Sequence, residues 1–267
     1  MSEVTLIIGA GGPSCSGKST ITSWLAQVLD NTIVVHQDKY FKSDSDIPIT
    51  PSGIANWDCP QALDMEAFIQ VLERLKTHGD QQSSIMGDNR SKLDRSEVTT
   101  ESAEQFKRKI SDACAELNIR LKIVLVDGFL LYHTTRIIDL LDIRLFSKAN
   151  YETLKRRREE RSSYITAEGC WVDPKGYFDE IVWPEYLRHN HLPLQTISRL
   201  HSLRNDSERQ AIAHLDADSS ELIDGLVHLD SEDRTIEQLL TQVVDNIVTH
   251  LKFTRAPREN GVECATV

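Results

Sequence analysis

The sequence predicts an α/β protein built on a mostly parallel sheet. Short apolar runs that are typical of buried strands alternate with segments in which apolar residues recur at helical spacing. Such alternation favours a parallel sheet covered by helices. The 267 residues are 40% hydrophobic and 27% charged, with only 12 Gly and 8 Pro, which is the composition of a folded globular chain. One domain with insertions, or one domain with a small lid, fits this length.

Five apolar runs predict the strands of the sheet. Each is short, rich in Val, Ile or Leu, and bounded by a helical pattern or a polar loop. Ligands of parallel sheets bind at the carboxyl ends of the strands, so functional residues are expected there. The predicted strands cover residues 4–8, 33–35, 122–126, 143–146 and 226–229.

Apolar residues at helical spacing predict the helices between these strands. Patterns begin after the first glycines, near Met65 and near Phe106, and the most regular one lies at 236–251. Asn150 is a predicted N-cap for a helix that carries the basic run 155–161. Polar segments interrupt the pattern and indicate insertions. The expected organisation is a single domain over 1–267, with insertions at about 78–119 and 188–224, a lid at about 151–187 and a disordered tail at about 253–267.

The charge balance excludes one large class of partners. The chain has 30 Lys and Arg against 41 Asp and Glu, a net charge of −11, whereas proteins that bind nucleic acid are usually basic. The first apolar run is too short for a signal segment or a membrane span. Five scattered cysteines argue against disulfides and a zinc site. We expect no nucleic-acid or membrane partner and a cytoplasmic protein, with the nucleus as the alternative.

A phosphate-binding loop follows the first predicted strand. Residues 12–19 match G-x-x-x-x-G-K-[ST] and lead directly into a helix. The glycines allow backbone N–H groups to surround a phosphate, Lys18 reaches the β- and γ-phosphates, and Ser19 offers a hydroxyl to Mg²⁺. A chance glycine turn is the alternative, but the strand before and the helix after favour nucleotide binding. The predicted nucleotide-binding residues of this segment are Gly12, Pro13, Ser14, Cys15, Ser16, Gly17, Lys18, Ser19 and Thr20.

Two carboxylates follow predicted strands. Asp127 comes directly after the run 122–126, where a strand-end carboxylate supports the magnesium ion opposite the phosphate loop. Asp38 lies just after the second strand, where it would face the γ-phosphate and take a proton from an attacking hydroxyl. The alternative for both is an ordinary polar residue in a loop, where aspartate is common.

Basic residues are concentrated between 155 and 161 in this acidic protein. Arg157 and Arg161 are four apart, and Arg158 and Arg161 three apart, so on a helix they are neighbours. An isolated run of this kind indicates a solvated surface or a nuclear address. Downstream of a phosphate loop, it favours a lid whose cations cover the transferred phosphoryl group.

Further motifs follow the phosphate loop in a characteristic order. They are Gln37-Asp38-x-Tyr40-Phe41-Lys42, Trp57-Asp58-x-Pro60-x-Ala62-Leu63-Asp64-Met65, Asp127-Gly128-Phe129-Leu130-Leu131, Lys155-Arg156-Arg157-Arg158 and Gly176-Tyr177-Phe178-Asp179-x-x-Val182-Trp183-Pro184. The arrangement resembles the nicotinamide riboside kinases over roughly residues 4–77, 122–187 and 226–250. The last motif is not a general feature of phosphate-loop proteins, and the neighbouring uridine kinases lack it.

The resemblance implies a nucleoside-monophosphate-kinase-like fold with a five-stranded parallel sheet, flanking helices and an arginine-bearing lid. It implies phosphoryl transfer from ATP or GTP, with Mg²⁺, to the 5′-hydroxyl of nicotinamide riboside in NAD biosynthesis. Nicotinic acid riboside is an expected second substrate. Asp38 and Lys18 become the catalytic residues, and Ser19, Asp38 and Asp127 the magnesium partners. Asp127 stands where some relatives have Glu.

The resemblance also assigns the substrate-binding residues. Trp57 occupies the position of the aromatic residue that stacks on the pyridine ring, and Asp58 and Arg158 that of the residues that hold the ribose hydroxyls. Arg157 and Arg161 belong to the nucleotide side of the lid. The implied acceptor set is Asp38, Tyr40, Phe41, Trp57, Asp58, Arg158 and Tyr164, the last being the expected lid tyrosine.

Two other functions stay open at this point. A uridine or cytidine kinase would share the phosphate loop and the carboxylates. A regulatory switch that hydrolyses its nucleotide would need a water-positioning residue and no acceptor pocket, so the acceptor-side Trp57 and Asp58 argue against it. The small-molecule partner is a nucleoside, and the protein is expected to be a monomer or a weak homodimer.

Overall fold

Five parallel strands form the central sheet of the computed structural model, which describes residues 1–78, 97–161, 164–165, 169–199 and 222–255. All five strands predicted from apolar runs are confirmed, and the order in the sheet is β2-β3-β1-β4-β7. Two short strands, β5 and β6, pair with each other away from this sheet. The strands are β1 Ser2–Gly11, β2 Thr32–His36, β3 Ile119–Asp127, β4 Ile143–Lys148, β5 Tyr164–Ile165, β6 Cys170–Trp171 and β7 Leu226–Asp230.

Helices cover both faces of the sheet. They are α1 Lys18–Val28, α2 Met65–His78, α3 Thr100–Glu116, α4 Thr135–Leu140, α5 Tyr151–Glu159, α6 Trp183–His189, α7 His191–Arg199 and α8 Ile236–Arg255. The N-cap predicted for α5 is confirmed, because the Asn150 side chain accepts a hydrogen bond from the backbone N–H of Thr153. No helix in the described part of the chain is long and apolar enough to cross a membrane.

Alternate residues of the central strands point into two separate cores. Leu6 and Ile8 of β1 pack in a cluster with residues of α1, α3 and α8, whereas Ile7 packs on the other face with residues of α2, α4, α6 and α7. This alternation follows from the two-residue period of a strand, and burial on both faces explains the continuous apolar runs in the sequence. The α/β fold class is therefore confirmed.

Part of each predicted insertion belongs to these cores. α3 lies within 78–119, and its Phe106 and Ile110 are buried against the cluster that contains α1. α7 lies within 188–224, and its Leu194 is fully buried in the other cluster. Residues 79–96 and 200–221, and 256–267 of the predicted tail, lie outside the described residues. The tail range itself begins inside α8, which extends to Arg255.

The phosphate loop is held against the end of β4. Gly12 has φ +132°, and a Cβ atom there would lie 2.1 Å from the backbone oxygen of Ser147, so only glycine allows this approach. The Ser147 hydroxyl donates a hydrogen bond of 2.5 Å to the backbone oxygen of Ser16. On the other side of β1, which pairs with β3, Ala10 lies directly beside Asp127. The sheet register thus brings the loop and the carboxyl end of β3 to one edge.

Candidate active site

The phosphate loop has a closed, internally bonded shape. Lys18 Nζ donates a 2.6 Å hydrogen bond to the backbone oxygen of Pro13, which spans the loop. Two loop residues, Cys15 at φ 64° and Gly17 at φ 89°, adopt the left-handed backbone region, and successive residues in such turns can direct their N–H groups at an anion. Burial lowers the pKa of the Lys18 ammonium, although the nearby Asp127 and Asp38 carboxylates oppose that shift.

Two cavities meet at this loop. The large cavity, of about 430 Å³, extends from the loop towards Trp57 and Asp58, and the small cavity, of about 360 Å³, extends towards Thr20 and Ser231. Four residues belong to the linings of both cavities, namely Cys15, Lys18, Ser19 and Arg161. A chain of phosphates bound to the loop would therefore have one end in the large cavity and the other end in the small cavity.

Carboxylates line the floor of the large cavity at the strand ends. Asp127 is buried, and its Oδ2 lies 3.2 Å from Nδ1 of His36, the residue that ends the neighbouring strand β2. Asp38 follows on a short 3-10 turn and is exposed in the wall of the cavity. Enclosure by protein raises the pKa of the Asp38 carboxyl, and the Asp127 charge adds to that shift, while Lys18 and His36 oppose it.

A buried guanidinium organises the far wall of the large cavity. Arg158 of α5 is 5% exposed and donates to both oxygens of Asp58, at 3.3 and 3.4 Å. It also donates to both oxygens of Asp173, at 2.6 and 3.2 Å. Burial raises the pKa of the Asp58 carboxyl, and the Arg158 charge opposes that rise. Two carboxyl groups thus share one cation, which leaves a surplus of negative charge when both are ionised.

Aromatic rings form the remaining wall. Trp57 is 7% exposed, meets the ring of Phe41 edge-on at 5.4 Å and lies 5.8 Å from the ring of Trp171. Phe129 stacks on Phe41 with ring centroids 6.0 Å apart. All four rings line the large cavity. Such a wall suits a flat ligand, because a planar ring makes extensive contact with aromatic faces.

The loop that carries Trp57 and Asp58 is fixed by side chains from other elements. The Tyr177 hydroxyl accepts from the backbone N–H of Trp57 at 3.0 Å and donates to the backbone oxygen of Ala55 at 3.1 Å. Asn56 Oδ1 accepts from the backbone N–H of Asp58 at 3.1 Å, while its Nδ2 donates to Glu185 at 3.2 Å. Tyr177 belongs to the Gly-Tyr-Phe-Asp…Val-Trp-Pro segment and Glu185 follows it directly, so this part of the chain holds the loop in position.

Glu185 itself lies in a buried polar cluster. Its side chain is 8% exposed, and its Oε2 lies 2.8 Å from Nε2 of His189. Arg188 donates to Oε1 at 2.7 Å from the solvent side. A buried carboxylate with several partners has a fixed position, so it fixes Asn56 in turn.

The structure brings most of the predicted site residues together. Those that line the large cavity are Ser14, Cys15, Lys18, Ser19, Asp38, Phe41, Trp57, Asp58, Asp127, Arg158 and Arg161. Gly17, Thr20 and Arg157 line the small cavity, where Arg157 donates to the backbone oxygens of Cys15 and Ser231 at 3.3 and 3.4 Å. Gly12, Pro13 and Ser16 shape the loop through their backbones.

Two members of the predicted acceptor set stand apart. Tyr40 is not among the residues that line the large cavity, and its ring packs edge-on against Phe68 with centroids 5.2 Å apart. A 3-10 turn has three residues per turn, so Asp38 and Phe41 share a face that Tyr40 does not. The backbone of Tyr164 pairs with Trp171 in the β5–β6 hairpin, but its side chain lies outside the description.

Other residues of the site were not predicted from the sequence. Asp173 and Trp171 come from a segment without periodicity, and Asn56 and Glu185 become partners only through the fold. Phe129 was visible within the motif that follows Asp127, since a ring directly after a strand end faces the same edge of the sheet. Its position in that motif is the signal that could have identified it.

The oxygen atoms at the loop fit a magnesium ion. The Ser19 hydroxyl and the Asp38 and Asp127 carboxylates line one cavity, and Mg²⁺ is usually held by one or two carboxylates together with phosphate oxygens and water. No cluster of three or more His, Cys, Asp or Glu side chains suited to a metal occurs in the described ranges.

A phosphate loop between two cavities, with a carboxylate beside the second, defines a phosphate-loop kinase that acts on a small molecule. A nicotinamide riboside kinase of Schizosaccharomyces pombe is 39% identical over 193 residues, which are 72% of this chain and 82% of the relative. The chain belongs to the nicotinamide riboside kinase family.

Two further curated relatives agree. The nicotinamide riboside kinases of Eremothecium gossypii and Saccharomyces cerevisiae are 36% and 31% identical, over 68% and 72% of this chain and 74% and 80% of their own lengths. No family model matches the chain. A solved sugar kinase from Janibacter aligns over 95% of this chain and 97% of its own, but its TM-score of 0.35 and identity of 14% add nothing to the assignment.

The Asn56–Glu185 contact predicts a specific effect on the nucleoside. Glu185→Leu should raise the KM for the nucleoside about 5- to 20-fold, because the loop of Trp57 and Asp58 loses a buried hydrogen-bonded anchor. The KM for the nucleotide should change less than about twofold. Steady-state kinetics with each substrate varied in turn checks this, and Asn56→Ala should give the same pattern.

Arg188→Ala is the matched control, since it removes the exposed partner of Glu185 and leaves Asn56 in place. It should change neither KM. If Glu185→Leu lowered only the melting temperature, the contact with Asn56 would have no bearing on nucleoside binding.

Proposed function

We propose that this protein transfers the γ-phosphoryl group of ATP to the 5′-hydroxyl of nicotinamide riboside, giving the mononucleotide for NAD biosynthesis. The observation that carries the proposal is the meeting of two cavities at Lys18, Ser19 and Arg161. A nucleotide in the small cavity would present its terminal phosphate to a nucleoside in the large one. GTP can serve as donor in the same geometry, and nicotinic acid riboside as acceptor.

The large cavity has the chemistry of a site for a cationic nucleoside. The pyridinium ring of nicotinamide riboside is flat and positively charged, and an indole face attracts such a ring by about 0.5–1 kcal/mol when exposed and ~2 when desolvated. Trp57 and Trp171 supply two indoles beside the two carboxyl groups that share Arg158. Asp58 and Arg158 would bind the ribose hydroxyls and leave the 5′-hydroxyl directed towards Asp38.

Asp38 would accept the proton of the attacking 5′-hydroxyl. Its raised pKa makes the carboxylate a better base than a free aspartate. Lys18 lies on the other side of the transferred group, where its ammonium would neutralise the β- and γ-phosphate oxygens. Arg161 lines both cavities and would cover the transfer from the lid.

Ser19, Asp38 and Asp127 would hold the magnesium ion through their oxygen atoms. The ion, when bound, neutralises charge on the phosphate oxygens. His36 contacts Asp127 and orients that carboxylate towards the loop. Arg157 lies against the loop backbone and would bind the nucleotide on its own side. We propose cytoplasmic action, supported by the scattered cysteines, as a monomer or weak homodimer.

The proposal is tested by the release of ADP over a panel of acceptors. Nicotinamide riboside should give the highest kcat/KM among nicotinamide riboside, nicotinic acid riboside, uridine and cytidine. The control is the same assay without acceptor. A uridine-first ranking would favour the uridine-type kinase, and equal turnover without acceptor would favour a hydrolytic switch.

Asp38→Asn should lower kcat by roughly 10²–10⁴, the usual contribution of a positioned base. Nucleoside affinity should change much less, because the amide keeps the shape of the carboxyl. Because Asp38 is exposed at the cavity, the variant should be about as stable as the wild type at pH 7. Calorimetry and single-turnover kinetics test the two effects separately. A kcat within a few-fold of wild type would exclude Asp38 as the base.

Trp57→Leu should lower kcat/KM for nicotinamide riboside roughly 5- to 30-fold, because leucine keeps apolar contact but has no aromatic face for the cation. Activity with uridine, which is neutral, should fall much less. Trp57→Phe is the matched control and should retain most of the preference for the cation. A parallel loss with both nucleosides, together with a lower melting temperature, would mean that Trp57 serves only packing.

A further inference from the structure

An acidic side chain from outside the family motifs lines the small cavity. Glu97 precedes α3, within the segment predicted as the first insertion, and it lies in the cavity wall with Thr20, Arg157 and Ser231. A carboxylate is an unexpected neighbour for a nucleotide, because phosphates are anionic and repel it. Its position therefore calls for a ligand group of a different kind.

Glu97 is held in place by its surroundings. The indole N–H of Trp24 donates to Glu97 Oε2 at 3.1 Å. The next residue, Val98, is 4% exposed in the core that contains α1 and α8. Thr99 then caps α3 by accepting from the backbone N–H of Ser102, and its own N–H donates to Glu237 of α8 at 3.2 Å. The carboxylate is thus held by α1, and the segment that carries it is also fixed to α8; both helices contribute residues to the wall of the small cavity.

An ionised carboxylate can only accept hydrogen bonds, so its ligand must be a donor. A nucleotide offers donors only in its sugar hydroxyls and its base. Trp24 is four residues beyond Thr20 and so lies on the same face of α1, about 6 Å further along the helix axis. The ribose of a nucleotide follows its α-phosphate, so a nucleotide whose phosphates lie in the predicted cradle, which ends at Thr20, would bring its ribose next to this part of the cavity.

We propose that Glu97 binds a ribose hydroxyl of the phosphate-donor nucleotide. One carboxylate oxygen accepts from Trp24 and the other accepts from the 2′- or 3′-hydroxyl. The predicted insertion then contributes directly to donor recognition. This inference rests on the proposed function only in requiring a nucleotide in the small cavity, and it does not depend on the identity of the acceptor.

The test is calorimetric titration of the full chain with Mg²⁺ and ADP, 2′-deoxy-ADP or 3′-deoxy-ADP, in the absence of an acceptor. Glu97→Ala should weaken ADP binding about 10-fold or more, in line with the loss of a hydrogen bond to a charged group. For the analogue that lacks the contacted hydroxyl, the same substitution should change Kd less than about twofold. Glu97→Gln should lie between, since its amide oxygen still accepts.

Glu101→Ala is the matched control, because this glutamate lies four residues further on, is exposed and pairs with Gln105 outside the cavity. It should leave every Kd unchanged. Equal weakening of ADP and both deoxy analogues by Glu97→Ala would overturn the proposal and assign Glu97 to packing with Trp24. Unchanged ADP binding would overturn it as well. Failure of nicotinamide riboside in the acceptor panel, with these titrations as expected, would count against the proposed function alone.

Discussion

The wall of the large cavity depends on one buried guanidinium. Arg158 connects three parts of the chain, since it projects from α5 and binds Asp58 in the loop after β2 and Asp173 in the segment after β6. Removing one partner of a buried ion pair typically costs about 3–5 kcal/mol, because the other charge is left without compensation. The segments that carry Asp58 and Asp173 therefore cannot shift independently of α5, and the cavity that they line keeps its shape.

The fold was largely predictable, because its strands and its phosphate loop are each marked by a pattern within a short stretch of sequence. Buried parallel strands appear as continuous apolar runs, and the phosphate loop as a fixed spacing of glycine and lysine, so all five strands and the loop followed from the sequence. The wall of the large cavity was predicted less completely. Asp173, Asn56 and Glu185 act through partners more than ten residues away in the sequence, and no periodicity marks such pairs. Tyr40 was assigned to the acceptor site as part of the motif that contains Asp38, but closeness to Asp38 in the sequence does not place its ring in the cavity.

Some residues of the phosphate loop are in environments or backbone conformations that are unfavourable for them. Burial shifts the pKa of the Lys18 ammonium down, so this group loses part of its preference for the charged form. Cys15 takes a backbone conformation that is uncommon for residues other than glycine. The surrounding structure compensates with buried contacts from outside the site, such as those of Ser147 with the loop and Tyr177 with the acceptor segment. The geometry of the candidate site is thus stabilised by residues that do not line its cavities.

The junction of the two cavities has a consequence for ligand design. Cys15, Lys18, Ser19 and Arg161 belong to both walls, so the two cavities, which are the proposed acceptor and donor pockets, adjoin at the phosphate loop and are together called the channel. A single molecule with a nucleoside at each end of a phosphate chain could occupy the whole channel. Tethering makes the second binding event intramolecular, and affinity then depends on whether the chain length matches the span. The affinities of bisubstrate compounds with different linker lengths would accordingly measure the distance that separates the two ends of the channel.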